Sequence, residues 1–185
     1  KTDTGYADVL NDALASRTDG ARVFACWMHE PDGKINKGEL KRDDYINTTR
    51  QFITGVHEAC PGVLTTQILM SYSYQDGQLD KDHPSLFQED LVDVFGIDYY
   101  SWSVPSQAPR PEMQLFVDHA RNAQRPWLVG EWGYNIDRGG SSQQRADWYT
   151  ETCDWYADQV DCLTVCYFDA DVGGDFKLTG KDDYE

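Results

Sequence analysis

No run of this chain reaches the roughly 18 consecutive apolar residues that a membrane-spanning helix needs. Basic residues are scarce: 16 Lys and Arg stand against 32 Asp and Glu, a net charge of −16. Neutralising phosphates needs basic side chains, so neither a nucleic acid nor an anionic membrane is expected as a partner. A strongly anionic polysaccharide is disfavoured on the same ground. No C-x-x-C pair occurs among the five cysteines, so the spacing of a zinc site is missing. No G-x-G-x-x-G follows a strand-like run, which argues against a dinucleotide-binding sheet, and no cofactor is expected. Internal repeats, low-complexity stretches and a signal-peptide pattern are not seen.

Aromatic residues are plentiful. Six Trp and eleven Tyr help bring the aromatic share to 13%, and 40% of the chain is hydrophobic, a globular composition. About half of these rings are expected in the core. The remainder suit a flat, uncharged partner, of which sugars are the commonest. An acidic, soluble surface fits an extracellular or virion-borne protein.

Helix and strand signals alternate. Tyr6, Val9, Leu10, Ala13 and Leu14 share one helical face. The apolar run 23–28 reads as a strand buried on both faces. Asp43 or Asp44 is expected to cap a helix that buries Ile46, Thr49, Ile53, Val56 and Cys60, ended by Pro61-Gly62. Strands are expected over 64–72, 91–100, 126–132 and 162–168. Pro111 opens a helix burying Met113, Phe116, Val117 and Ala120. Ser141 or Ser142 caps another, with Ala146, Tyr149, Cys153 and Tyr156 inward. Strand centres recur every 30 to 40 residues, the βα unit of a parallel α/β fold. Cys26 and Cys166, inside strands, are expected to be buried and reduced, and Cys153 and Cys162 close enough to bridge.

In such a fold, polar residues at the C-terminal ends of strands are the catalytic candidates. Here those ends read His29-Glu30-Pro31-Asp32, Ser71-Tyr72-Ser73-Tyr74, Asp98-Tyr99-Tyr100-Ser101-Trp102, Glu131-Trp132-Gly133-Tyr134-Asn135 and Tyr167-Phe168-Asp169. One rim thus gathers carboxylates, phenols and indoles. Breaking a glycosidic bond takes two carboxyl groups, one to protonate the leaving oxygen and one to attack the anomeric carbon or activate water. Glu30 and Glu131 stand three strands apart, where barrel curvature can bring strand ends face to face.

His29-Glu30-Pro31 and Gly130-Glu131-Trp132-Gly133, 101 residues apart, resemble the acid/base and nucleophile segments of the clan A glycoside hydrolases. His29 in place of the commoner Asn resembles family 26, the β-mannanases and related endo-β-glycanases. The resemblance implies a (β/α)₈ (TIM) barrel. Residues 1–185 would supply strands four to eight as a partial catalytic domain, with about 100 further residues, carrying three strands, expected upstream.

It further implies a retaining endo-β-glycosidase acting on a neutral, mannan-like polysaccharide, with Glu30 as acid/base and Glu131 as nucleophile. Tyr100, or Tyr99, would orient the nucleophile. His29 would contact the sugar or hold Glu30. Trp102, Trp132, Tyr134 and Tyr167 would line the sugar site. The eighth strand departs from the pattern, carrying Tyr167-Phe168 where a Trp is usual. Two alternatives stay open: a non-catalytic carbohydrate-binding or virion structural protein on a former glycosidase barrel, and an enzyme using these carboxylates for a metal.

Overall fold

The computed structural model describes residues 5–17, 19–75, 83–101, 111–135, 137, 140–170 and 176. Five strands form one sheet: β1 (Val23–His29), β2 (Val63–Met70), β3 (Val94–Ser101), β4 (Trp127–Tyr134) and β5 (Cys162–Tyr167). They pair in sequential order, each parallel to the next. Helix α1 (Gly5–Ala15) precedes β1, α2 (Pro31–Asn36) and α3 (Arg42–Ala59) lie between β1 and β2, α4 (Pro111–Asn122) between β3 and β4, and α5 (Ser142–Ala157) between β4 and β5. Consecutive parallel neighbours need a crossover each time, and between β2 and β3 the described residues hold two short 3₁₀ turns, Ser71–Tyr74 and His83–Leu86, in place of an α-helix. Among the described residues no helix is long and apolar enough to cross a membrane.

The main core lies between the sheet and helices α3 to α5. Strand residues Leu69, Phe95, Ile97, Tyr99, Trp127, Val129, Trp132 and Tyr134 meet Ile53, Met113, Phe116, Val117, Ala120, Trp148 and Tyr156 there. On α4 the expected face is the buried one, and each large side chain so buried contributes about 1.5–3 kcal/mol. A smaller cluster joins α1 and α3 to the starts of β1 and β2 through Ala7, Ala25, Val56, Cys60 and Val63. All eight residues of the central strand β3 are buried. The opposite face of the sheet is less covered, with Leu64, Ile68 and Met70 of β2 only half-buried.

Several expectations are corrected. On α1, Val9 is exposed, and Tyr6, Leu10 and Leu14 make the contacts. Lys41, not Asp43 or Asp44, is the N-cap of α3, and both aspartates sit in its first turn, where the helix dipole favours them. On α5 the buried face is Trp148, Thr152 and Tyr156, while Ala146 and Cys153 face water. All five cysteines are free, so Cys153 and Cys162 do not bridge. Cys166 is exposed because β5 is an edge strand, whereas Cys26 is partly covered.

Candidate active site

Two local irregularities set the site. In β4 the pairing runs from Ile97–Val129 to Asp98–Glu131, so Gly130 is an extra residue, a bulge. Without it Glu131 would share the helix-facing side with Trp127 and Val129. With it, Glu131 turns to the inner face and Trp132 and Tyr134 take the helix side. The β1–β2 pairing is likewise irregular between Cys26 and His29. Just beyond, Glu30 holds φ 51° and ψ 53°, the left-handed region. A non-glycine residue there, immediately before a proline, costs on the order of 1–3 kcal/mol and persists only where its surroundings enforce it. Its backbone N–H donates to the Ile68 carbonyl at 3.1 Å, which ties the turn to β2.

Five side chains meet at this rim. His29 Nε2 pairs with the Asp98 carboxylate, and His29 Nδ1 lies 3.7 Å from Glu131 Oε1. Glu30 is hydrogen-bonded to Asp98 as well. Tyr100 donates its hydroxyl to Glu131 Oε2. Asp98 is completely buried, and burial raises its pKa against the opposing pull of His29. The hydrogen bond to Asp98 raises His29 to about 9. Burial first, then the charge of Asp98 and the hydrogen bond to it, push the Glu30 carboxyl up to about 7. Burial and the bond to Glu131 raise the Tyr100 phenol far above its ordinary value, so it stays a donor.

The arrangement holds one carboxyl protonated near neutrality beside a carboxylate served by a phenol. His29, Glu30 and Asp98 also offer ligand atoms within 4.8 Å of one another, a donor set that suits a divalent cation. In this structure those atoms are engaged with each other.

Of the expected residues, Glu30, Glu131, His29 and Tyr100 come together. Tyr99, Trp132 and Tyr134 do not join them. They lie on the helix side, where Tyr99 stacks on Trp148 at 5.9 Å, Trp132 stacks on it at 5.5 Å and Tyr134 meets it at 5.6 Å. Tyr167 packs against Trp132 and Tyr149, accepts from the Tyr149 hydroxyl and donates to the Phe176 carbonyl. Tyr99, expected as the alternative to Tyr100 beside the nucleophile, and Trp132, Tyr134 and Tyr167, expected to line the sugar site, thus stand on the helix side: strand alternation turns Tyr99 there, and the β4 bulge turns Trp132 and Tyr134. Trp102 lies outside the described residues. Among the described residues, Tyr100 meets the rings of Phe168, at 5.6 Å, and Phe176, at 5.2 Å.

Asp98 was within reach of sequence reasoning, because it stands two residues before Tyr100 and so shares its face. Asp32, two residues beyond Glu30, is fully buried, which no local pattern in the sequence signals.

No protein-family model matches the sequence, and no curated protein matches it. Solved structures do. An endo-β-1,4-mannanase from Cellulomonas fimi is similar with a TM-score of 0.64 at 20% identity, over 92% of this chain and 41% of that one. A family 128 exo-β-1,3-glucanase from Aureobasidium namibiae gives 0.60 at 11%, over 90% and 62%. A family 128 endo-β-1,3-glucanase from Sorangium cellulosum gives 0.58 at 16%, over 95% and 70%. The chain thus spans 62% of the glucanase from Aureobasidium and less than half of the mannanase. These likenesses show the fold: five consecutive strands and their helices, as in part of a (β/α)₈ glycosidase barrel.

Proposed function

We propose that this chain carries the catalytic glutamates of a retaining endo-β-glycosidase that hydrolyses a neutral β-linked polysaccharide. The observation that supports it most is the contrast between the two carboxyl groups. Glu30 keeps a proton up to about 7, and Glu131 receives a hydrogen bond from Tyr100. In the first step the Glu131 carboxylate attacks the anomeric carbon while Glu30 gives its proton to the departing oxygen. In the second, Glu30, now a carboxylate, takes a proton from water, and that water releases the sugar from Glu131. His29 and Asp98 bound this space and share protons with Glu30.

The similar folds support the polysaccharide class. A family 128 endo-β-1,3-glucanase from Amycolatopsis mediterranei is recorded with laminaripentaose, laminaritriose and laminaribiose, two of the three complexes being of glutamate-to-alanine variants. Of the substrates these folds suggest, a mannan-like chain is the first choice, for the His29 signature. Completion of the barrel by three further strands belongs to the same proposal.

A binding role without catalysis is the second reading, favoured by Tyr167-Phe168 at the end of β5, where a Trp is usual in the resembled family. A panel of β-mannan, laminarin and curdlan, with Glu131→Ala as control, separates the two. Hydrolysis lost in the variant supports the enzyme. Binding of a polysaccharide, equal in both proteins and without hydrolysis, supports the alternative. Turnover that survives a chelator argues against the metal reading.

A further inference from the structure

We propose that Asp32 is a positioning residue that holds Glu30 in its strained turn and so keeps its carboxyl against Asp98. This rests on the role proposed for Glu30. Asp32 has no exposed surface, yet it carries a carboxylate two residues beyond Glu30. Its Oδ2 accepts from the backbone N–H of Met70, at 3.0 Å, and from the Ser73 hydroxyl. Its Oδ1 accepts from the N–H of Gly33 at 3.1 Å. The first two donors belong to the end of β2 and the turn that follows it, so Asp32 pins the start of α2 to the neighbouring strand. Between that pin and β1 lies only Glu30-Pro31. Pro31 has one backbone torsion fixed, and the Glu30 N–H is held by Ile68. With both ends tied, the left-handed backbone at Glu30 is enforced.

The groups facing the Glu30 carboxyl come from every neighbouring element: His29 on β1, Asp32 on α2, Tyr72 after β2, Asp98 and Tyr100 on β3, and Glu131 on β4. Releasing the pin lets Glu30 relax toward an ordinary backbone and swing its carboxyl toward water, away from this set. Asp32 itself touches no reacting atom.

The test uses Asp32→Asn, close in shape, whose single amide oxygen can fill only one of the two acceptor positions that the carboxylate fills. Its fold is checked by circular dichroism. Kinetics are compared on polysaccharide, whose leaving group needs a proton, and on nitrophenyl β-glycosides of gluco- and manno-oligosaccharides, whose leaving group does not. Loss of proton donation is expected to lower kcat about 100-fold on polysaccharide and less than about 3-fold on the nitrophenyl substrates. On a Glu30→Ala background Asp32→Asn should add nothing, because it acts through Glu30. Ser73→Ala, which removes one donor, should show the same pattern at smaller amplitude and serves if Asp32→Asn fails to fold. Equal loss on both substrate classes, or none on either, overturns the assignment. If the parent protein cleaves neither class, the functional reading has failed, and the Glu30 titration followed by carboxyl NMR decides instead. Ser73→Ala, which loosens the pin without changing any charge, should then move it down from about 7 toward its ordinary range, and an unchanged titration overturns the proposal.

Discussion

A half-buried carboxyl whose pKa is raised to about 7 affects folding as well as chemistry. Glu30 binds its proton more tightly in the folded chain than in the unfolded one, where the ordinary value is 4.5. The stability this contributes is whole below about 4.5 and is lost as pH rises through about 7. His29, raised from 6.5 to about 9, acts in the same sense in a higher window. Replacing Glu30 by Gln removes the first loss. Melting curves at pH 5 and pH 8 should show the variant gaining on the parent as pH rises, and a constant difference would contradict the shift. Turnover that needs protonated Glu30 should likewise fall above about pH 7. Gly130 gives a second prediction at this scale. A Cβ there would stand 2.7 Å from Asp98 Oδ1 and 2.9 Å from Ile68 Cδ1. Gly130→Ala should therefore cost about 1–3 kcal/mol in denaturant unfolding and lower the pKa of Glu30 by displacing Asp98.

Helix α5 opens with a complete capping box: Ser141 accepts from the Gln144 N–H at 3.1 Å, and the Gln144 side chain accepts from the Ser141 N–H at 2.9 Å. Ser141→Ala should cost about 1 kcal/mol of unfolding free energy while leaving the pH dependence of Glu30 untouched, since the cap is remote from β1. Such elements were legible in the sequence. The S-x-x-Q pattern, the proline opening α4 and the apolar runs of β1 to β5 are local signals with local causes. The buried face of α5 was not legible, because Trp148, Tyr149, Trp155 and Tyr156 give apolar rings on more than one side of the helix. Nor was the side of each rim aromatic. Period-two alternation predicts it only while the strand is regular, and the bulge at Gly130 exchanges the faces of everything after it. The same bulge sets Glu131 on the inner face and Trp132 and Tyr134 on the helix side. Tyr100 over Tyr99 is a matter of parity with Asp98, readable once the inner face is known.

At the scale of the molecule, the sheet is covered by helices on one face and carries Glu30, Asp98 and Glu131 at one rim, with β1 and β5 as its edges. All five cysteines are free, and Cys153 and Cys166 are exposed. Thiol titration should find these two reacting first under native conditions and all five in denaturant without reductant. Four or fewer in denaturant would reveal a bridge that the structure lacks.

The account stands or falls on Glu131 as the group that takes the sugar. The protein, with its barrel complete, is incubated with 2-deoxy-2-fluoro glycosides of gluco- and manno-oligosaccharides bearing a good leaving group. The fluorine slows the second step more than the first, so a covalent intermediate accumulates. Intact mass spectrometry, followed by fragmentation of the peptide containing Gly130-Glu131-Trp132, should find one sugar per chain bonded to Glu131, and none on Glu131→Ala. Sugar bonded to another residue, or release of product with inverted anomeric configuration and no adduct from either series, would contradict it.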